Sequence, residues 1–392
     1  MSDNFIIGMS YWGGLSGNLK DSPDGAVYTR NLIIKKFLEE GHKVIALQIN
    51  RDDETFVSPV QFDSGFPDID LLFVEWRWAL PGRNTAVDRN SPSFTPDLDR
   101  QTELLRHYLQ NTNAHVFIWD KDQTLTKHDF IYNNNILSFH GINYLKFKHR
   151  IDFCRNTLKN QCLEIDNFNL FFKRFTFPCD FKSLKNSAIE NFEKEKTKTF
   201  VYIGNQYRRD EQVYQFVVPT ACHFKFTNVH HDFDFYGNWT KYSEKFERNK
   251  VNFPAINFYD RITFNEIHNV YHNYLCTLNM APKEYMDTGQ FTQRIYEAVM
   301  NGVITIGISD HECVERVFPK KLIVRDAYDF IELIKELTDM YKNSRSELLD
   351  LFEEQIDKLE YFDISKWYTK FASDILFSIA LNTYNRKTDE RL

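Results

Sequence analysis

Short apolar runs alternate with amphipathic stretches along most of the chain. "NFIIGMSYW" (4–12) reads as a strand, followed by a loop carrying Gly13, Gly14 and Gly17. Asp24 is placed to cap a helix over about 25–40, with Val27, Ile34, Phe37 and Leu38 as its apolar positions. Gly41 closes that helix, and "GHKVIALQI" enters a second strand. "DIDLLFVEW" (68–76) and "AHVFIWD" (114–120) predict the third and fourth strands, with a helix over 97–111 between them. Strand, helix, strand with glycine turns is the βαβ pattern of a doubly wound parallel sheet, in which ligands bind at the carboxyl ends of the strands.

The middle is less regular. "NFNLFFKRFTFPCDF" is aromatic and contains Pro178, and "KSLKNSAIENFEKEKTK" is polar, so an inter-domain linker is expected between about 178 and 198. A fresh alternation then begins: strand "TFVYIGN" (199–205), a helix from about 209, and strands "FDFYGNW" (233–239) and "LCTLNM" (275–280). "GQFTQRIYEAVMNGVITIG" (289–307) follows as a helix stopped by Gly302 and a buried strand, and "KLIVRDAYDFIELIKELTDMY" adds another strand and helix. A last helix, about 365–385, carries Trp367, Phe371, Ile375, Leu376 and Ile379 on one stripe after the second sheet is complete, so it needs a partner elsewhere. The expectation is an α/β protein of two Rossmann-like domains facing across a cleft, 1–180 with 365–392 and 181–364, the final helix returning to the N-terminal domain.

The chain has 392 residues, 42% of them hydrophobic, enough for two cores. It has no run of 18 apolar residues, so no membrane span is expected. Its start lacks a basic region and a small-residue cleavage site, so no signal peptide is read. The six cysteines are scattered without a C-x-x-C pair, which points to reduced thiols in a cytoplasmic protein and indicates neither a zinc cage nor a disulfide framework. A net charge of -7 argues against a nonspecific nucleic-acid binder, although one basic cleft can coexist with it. The 36 Phe, with many Asn, Lys and Ile, suggest an AT-rich coding source such as a phage, whose product would act in the host cytoplasm, or a low-GC bacterium. No obligate protein partner is evident.

The 289–301 helix has a second organised face. Phe291, Ile295, Ala298 and Val299 form its apolar side, and Gln290, Gln293, Arg294 and Glu297 gather opposite. Thr288 and Gly289 precede it, where free backbone N–H groups suit a diphosphate. Glu297 is placed to accept from two adjacent ribose hydroxyls, and Arg294 to pair with phosphate or with Glu297. The alternative is a solvated face. In "VEWRWALPGRN" (74–84), Glu75 and Arg77 share one side and Trp76 and Trp78 the other, before Arg83. Aromatic planes with arginines suit a sugar or base, and a buried Glu–Arg pair holding the loop is the competing reading.

In context, the second half resembles the nucleotide-sugar domain of GT-B glycosyltransferases, and most closely the spore-maturation (CgeB-like) group. Its pattern is met by Leu278, Asn279, Arg294, Tyr296, Glu297, Ala298 and Gly302, with "VYIGNQYRRD" and "FYGNW" as further pieces, over roughly 199–330. The resemblance implies a nucleotide diphosphate sugar, with uridine as the expected base, as co-substrate and no other cofactor. It assigns the diphosphate to Gly204, Arg208 or Arg209 and the 288–291 segment, with Gln290, and the ribose to Glu297. Many retaining members carry two glutamates eight residues apart, and Gly289 stands where the first would be.

"FIWDKDQ" (117–123) also resembles two known patterns. Asp120 and Asp122 look like the metal-holding D-x-D of GT-A enzymes. Asp122 also looks like the central Asp of the strand-end "H-D-H" in a phage DNA α-glucosyltransferase, and a carboxylate there would accept the acceptor hydroxyl's proton or steady positive charge on the sugar. The GT-B second half favours a metal-independent enzyme with Asp122 as base and Asp24 in reserve. Gly13, Gly14, Glu75, Arg77, Trp78 and Arg83 would then line the acceptor side. The first acceptor expected is a hydroxymethylated pyrimidine in double-stranded phage DNA, with Arg77, Arg83 and Arg89 on phosphates or a flipped base. A surface or spore polysaccharide, and a noncatalytic nucleotide-sugar binding module, are the alternatives.

Overall fold

A computed structural model describes residues 4–11, 15, 27–49, 60–76, 97–206, 208–239 and 255–382. The chain divides into two compact units, Met1–Pro178 with Ile364–Leu392, and Cys179–Asp363.

In the first unit, β1 (Ile6–Ser10), β2 (Lys43–Ala46), β3 (Gln61–Phe62), β4 (Leu71–Glu75) and β5 (His115–Asp120) belong to one sheet. A small antiparallel sheet of β6 (Phe130–Asn133), β7 (Ile136–Phe139) and β8 (Ile142–Asn143) interrupts it. β9 (Ile151–Asn156), β10 (Gln161–Ile165) and β11 (Phe168–Phe175) complete the order β10-β11-β9-β5-β4-β1-β2-β3 among the described residues. All neighbours run parallel except β10 against β11. β4 and β5 are buried at every position, as central parallel strands covered on both faces must be.

Alternation sorts their side chains. Leu72, Val74, Val116 and Ile118 pack with Leu104, Leu105 and Tyr108 of the helix Asp97–Asn111. Phe73 and Phe117 face the other way. There they meet the returning C-terminal helix Ile364–Phe371, whose Phe371 ring lies 5.2 Å from that of Phe117 and 6.0 Å from that of Phe73. Phe37 of the helix Val27–Glu39 closes the cluster, 5.2 Å from Phe371. The last helix thus lies on the first unit because its apolar stripe completes that unit's aromatic core.

The second unit carries β12 (Lys198–Ile203), β13 (Phe233–Tyr236), β14 (Asn257–Tyr259), β15 (Tyr274–Leu278), β16 (Ile304–Ile308) and β17 (Ile323–Val324). Their order is β14-β13-β12-β15-β16-β17, all parallel. Counted within the unit this is 3-2-1-4-5-6, the Rossmann order, whose direction reverses between β12 and β15.

The structure departs from two expectations. Residues in the expected linker form a helix, Phe181–Glu193, because Asp180 caps it by accepting from the Ser183 N–H at 3.0 Å and Leu184, Ala188 and Phe192 are buried along one face. In place of one helix from 289 there is a helix before it, Lys283–Thr288, and a later one, Arg294–Met300. Gly289 ends the first, in left-handed conformation at φ 67°. Its N–H donates to Met286 O, and that of Gln290 to Tyr285 O. These two bonds make a Schellman closure, in which glycine is favoured because a Cβ is strained at positive φ.

Candidate functional site

In an open parallel sheet the place to look for a ligand is outside the carboxyl ends of the strands where the order reverses. Each unit has such a place.

In the second unit it lies beyond β12 and β15. Gly204 follows β12 at φ 154°, and a Cβ there would stand 2.6 Å from the Arg294 guanidinium. The bare backbone therefore lets the arginine lie against the strand end. Arg294 also spans the face of Tyr202, 5.1 Å from the ring centre. It is half-buried, and its Nη1 is enclosed without a hydrogen-bond partner among the described residues. The buried hydroxyls of Tyr202 and Tyr271 are likewise unpartnered there. An enclosed guanidinium N–H without an acceptor, flanked by unsatisfied hydroxyls, is costly unless an anion or water completes it.

One turn further along the helix, Glu297 is buried and accepts from Gln293 Nε2 at 2.9 Å. Burial pushes its carboxyl above the ordinary range, against the pull of Arg294 and Gln293. The structure thus brings Gly204, Gln293, Arg294 and Glu297 together at the switch point.

Other expected donor residues are engaged differently. Arg209 is buried, and its Nε and Nη1 donate to Met280 O and Asn205 O at 3.2 and 3.1 Å. It staples the loops after β15 and β12 rather than presenting its charge. Arg208 is exposed and ion-paired with Glu284. The Thr288 hydroxyl donates back to Glu284 O at 2.9 Å, and Gly289 and Gln290 spend their N–H groups on the helix closure. The free N–H groups expected at 288–290 are therefore absent, because that segment ends a helix instead of starting one.

In the first unit the reversal lies between β1 and β4. Glu75, at the end of β4, is 1% exposed. Its Oε2 accepts from Arg30 Nη2 at 2.7 Å and Lys121 Nζ at 2.6 Å, and its Oε1 from Arg30 Nε at 3.1 Å. Arg30 also lies 4.5 Å from the Tyr11 ring centre. Glu75 is the anion of a buried ion cluster with both oxygens occupied, a buried Glu–Arg pair as in the competing reading, made with Arg30. Removing one partner of such a cluster strands the others, which is strongly destabilising.

Lys121 and Asp120 open the turn that carries Asp122. Asp120 is fully buried and accepts from Thr124 N at 2.6 Å, Leu125 N at 3.1 Å and Arg155 Nε at 2.9 Å. Its lone pairs are committed to the loop. Asp122 itself is half-buried, two residues past the end of β5. Gly13, Gly14, Asp24, Arg77, Trp78, Arg83 and Arg89 lie outside the described residues. Arg30, Tyr202 and Tyr271 were missed in the sequence, since a lone Arg or Tyr on an element carries no pattern.

Two Rossmann-like units, with the C-terminal helix returned to the first, make the GT-B fold of glycosyltransferases. The chain is similar in structure to T4 phage β-glucosyltransferase in complex with UDP and Mn²⁺, at 14% identity and TM-score 0.60, over 95% of this chain and 99% of that one. It is also similar to an α-glucosyltransferase in complex with UDP, at 10% identity and TM-score 0.59, over 95% and 100%. A third likeness is to the DNA modifying enzyme β-glucosyltransferase, solved with and without its substrate uridine diphosphoglucose, at 14% identity and TM-score 0.56, over 96% and 99%. No family model matches the chain, and no curated protein matches it in sequence. Among the described residues no helix is long and apolar enough to cross a membrane.

Proposed function

We propose that this protein is a glycosyltransferase that moves a sugar from a uridine diphosphate sugar to an acceptor hydroxyl. The observation that carries the reading is the enclosed Nη1 of Arg294, without a hydrogen-bond partner among the described residues, beside the buried carboxyl of Glu297 at the switch point of the second sheet. The cation suits a diphosphate and the carboxylate suits the two hydroxyls of a ribose. Support comes from the shared fold with enzymes solved with UDP. In the transfer, the bond from the anomeric carbon to the diphosphate oxygen breaks and a bond to the acceptor oxygen forms. Charge develops on the leaving diphosphate, where Arg294 stabilises it.

Asp122 is proposed as the base that takes the acceptor's proton. Asp122→Asn is expected to lower kcat roughly 10²–10⁴-fold while leaving UDP affinity unchanged. Equal turnover by the variant would remove that role, and binding without any turnover in the unmodified protein would favour a noncatalytic nucleotide-sugar module.

The acceptor proposed first is a hydroxymethylated pyrimidine in double-stranded DNA. It rests on the "WDKDQ" likeness and on two fold neighbours, one of them a DNA modifying enzyme. The net charge of -7 favours a polysaccharide hydroxyl instead. Incubation with radiolabelled UDP-glucose and duplexes containing or lacking 5-hydroxymethylcytosine decides between them. Label on the modified duplex alone supports DNA, and label only on added polysaccharide overturns it.

Turnover is proposed to need no metal and no cofactor beyond the nucleotide sugar. Arg294 answers the diphosphate charge, and Asp120 is committed to its loop. EDTA should leave the rate within about twofold, a change of less than roughly 0.5 kcal/mol. Loss of turnover restored by Mn²⁺ would show that a divalent ion shares the leaving group.

A further inference from the structure

The turn 289–293 leads into Arg294, yet it belongs to no regular element, so something else must hold it. The carbonyl of Gln290 lies inside the fold, on a residue with no exposed surface. It faces His311 Nε2 at 3.1 Å, across from the loop that follows β16. A carbonyl only accepts, so Nε2 carries the proton. The other ring nitrogen, Nδ1, faces Asn279 Nδ2 at 3.3 Å, just past the end of β15. The ring face is occupied as well: Phe291 stacks on it with centroids 4.0 Å apart and an interplanar angle of 11°. A second bond ties the same loop to the preceding helix, from Glu312 N to Met286 O at 2.9 Å.

His311 is 1% exposed, and burial pulls its pKa down to about 4. It is therefore neutral at physiological pH, with one donor and one acceptor in fixed places. That is the requirement for a strut: a neutral ring held between the backbone of Tyr285 and Gln290 on one side and a strand end on the other.

We propose that His311 is a positioning residue for the donor site, holding the 289–293 turn so that Arg294 meets the diphosphate. It touches no reacting atom and acts through Gln290 and Phe291. The proposal rests on the donor reading of Arg294 and Glu297. The chemistry at the ring specifies which replacement should serve. Gln places an amide N–H near the position of Nε2 and keeps the bond to Gln290 O. Asn reaches only the position of Nδ1. Phe keeps the stacking plane but has no donor.

The test is calorimetric titration of UDP into the full-length protein and the variants H311Q, H311N and H311F, with amide exchange of residues 289–294 followed in each. H311Q is expected to bind within about threefold of the unmodified protein, and H311N and H311F at least about tenfold more weakly, the tenfold being 1.4 kcal/mol. Exchange in the turn should rise in the latter two only. H311N keeps the comparison decisive if H311F fails to fold. If all three variants weaken alike, the ring is packing and the positioning role is overturned. If H311N and H311F bind as tightly as the unmodified protein, the role is overturned while the donor reading stands. If the unmodified protein does not bind UDP, the donor reading fails and the proposal falls with it.

Discussion

Phe371→Ala should destabilise the first unit by about 3–5 kcal/mol, the usual cost of removing a fully buried aromatic ring. The ring has no exposed surface and lies 5.2–6.3 Å from Phe37, Phe73, Phe117 and Phe175. Trp367 stacks on it at 5.2 Å with an interplanar angle of 8°, so the cavity would be lined by rigid rings that cannot collapse into it. Ending the chain before Ile364 removes Trp367, Phe371, Ile375 and Leu376 together, each of them buried. The expected result is a first unit that no longer folds cooperatively. Urea denaturation of both variants checks this: a midpoint unchanged in the truncated protein would mean that the returning helix is dispensable to that core.

Glu297→Ala should weaken UDP binding by roughly 1.5–3 kcal/mol, the range for hydrogen bonds to a charged group. The melting temperature should hold, because a carboxylate at 8% exposure is held there against desolvation and its loss relieves that cost. The pH dependence has a definite sign. Burial raises the Glu297 carboxyl, and only the ionised form accepts from two ribose hydroxyls. UDP affinity should therefore fall as the pH drops through that raised value, beginning above the ordinary carboxylate range, and Glu297→Gln should abolish the effect. A UDP analogue lacking both ribose hydroxyls isolates the contact. Against it the unmodified protein and Glu297→Ala should bind equally, and a persistent difference would move Glu297 away from the ribose.

Much of the fold was legible. β5 is the strand expected at 114–120 less its first residue, and the helix at 97–111 has the expected bounds. The Rossmann-like halves and the returning helix followed from runs long enough to show their period. The middle held a signal that periodicity does not show: the "NN" of 134–135 and the "DN" of 166–167 are two-residue hairpin turns. Asn134, Asn135, Asp166 and Asn167 all have positive φ there. The helix at 181–193 reads as a linker in sequence because its polar composition hides a narrow apolar stripe. The break at Gly289 was misread because a glycine beside a helical pattern serves equally as an approach to one helix or the closure of another.

By itself, the sequence determined which faces of the elements are apolar, hence the parallel strands at the centre of two sheets. It also determined that Arg294 and Glu297 share one face of a helix. Only the tertiary structure decided which charges are spent and which remain. Glu75 meets Arg30 from 45 positions away and Lys121 from 46. Arg209 reaches Met280 across 71 positions, and His311 reaches Gln290 across 21. Periodicity tells which side of an element avoids water, because that depends on the element alone. The role of a charged side chain depends on what lies opposite it once water is removed, and that partner is supplied by the fold.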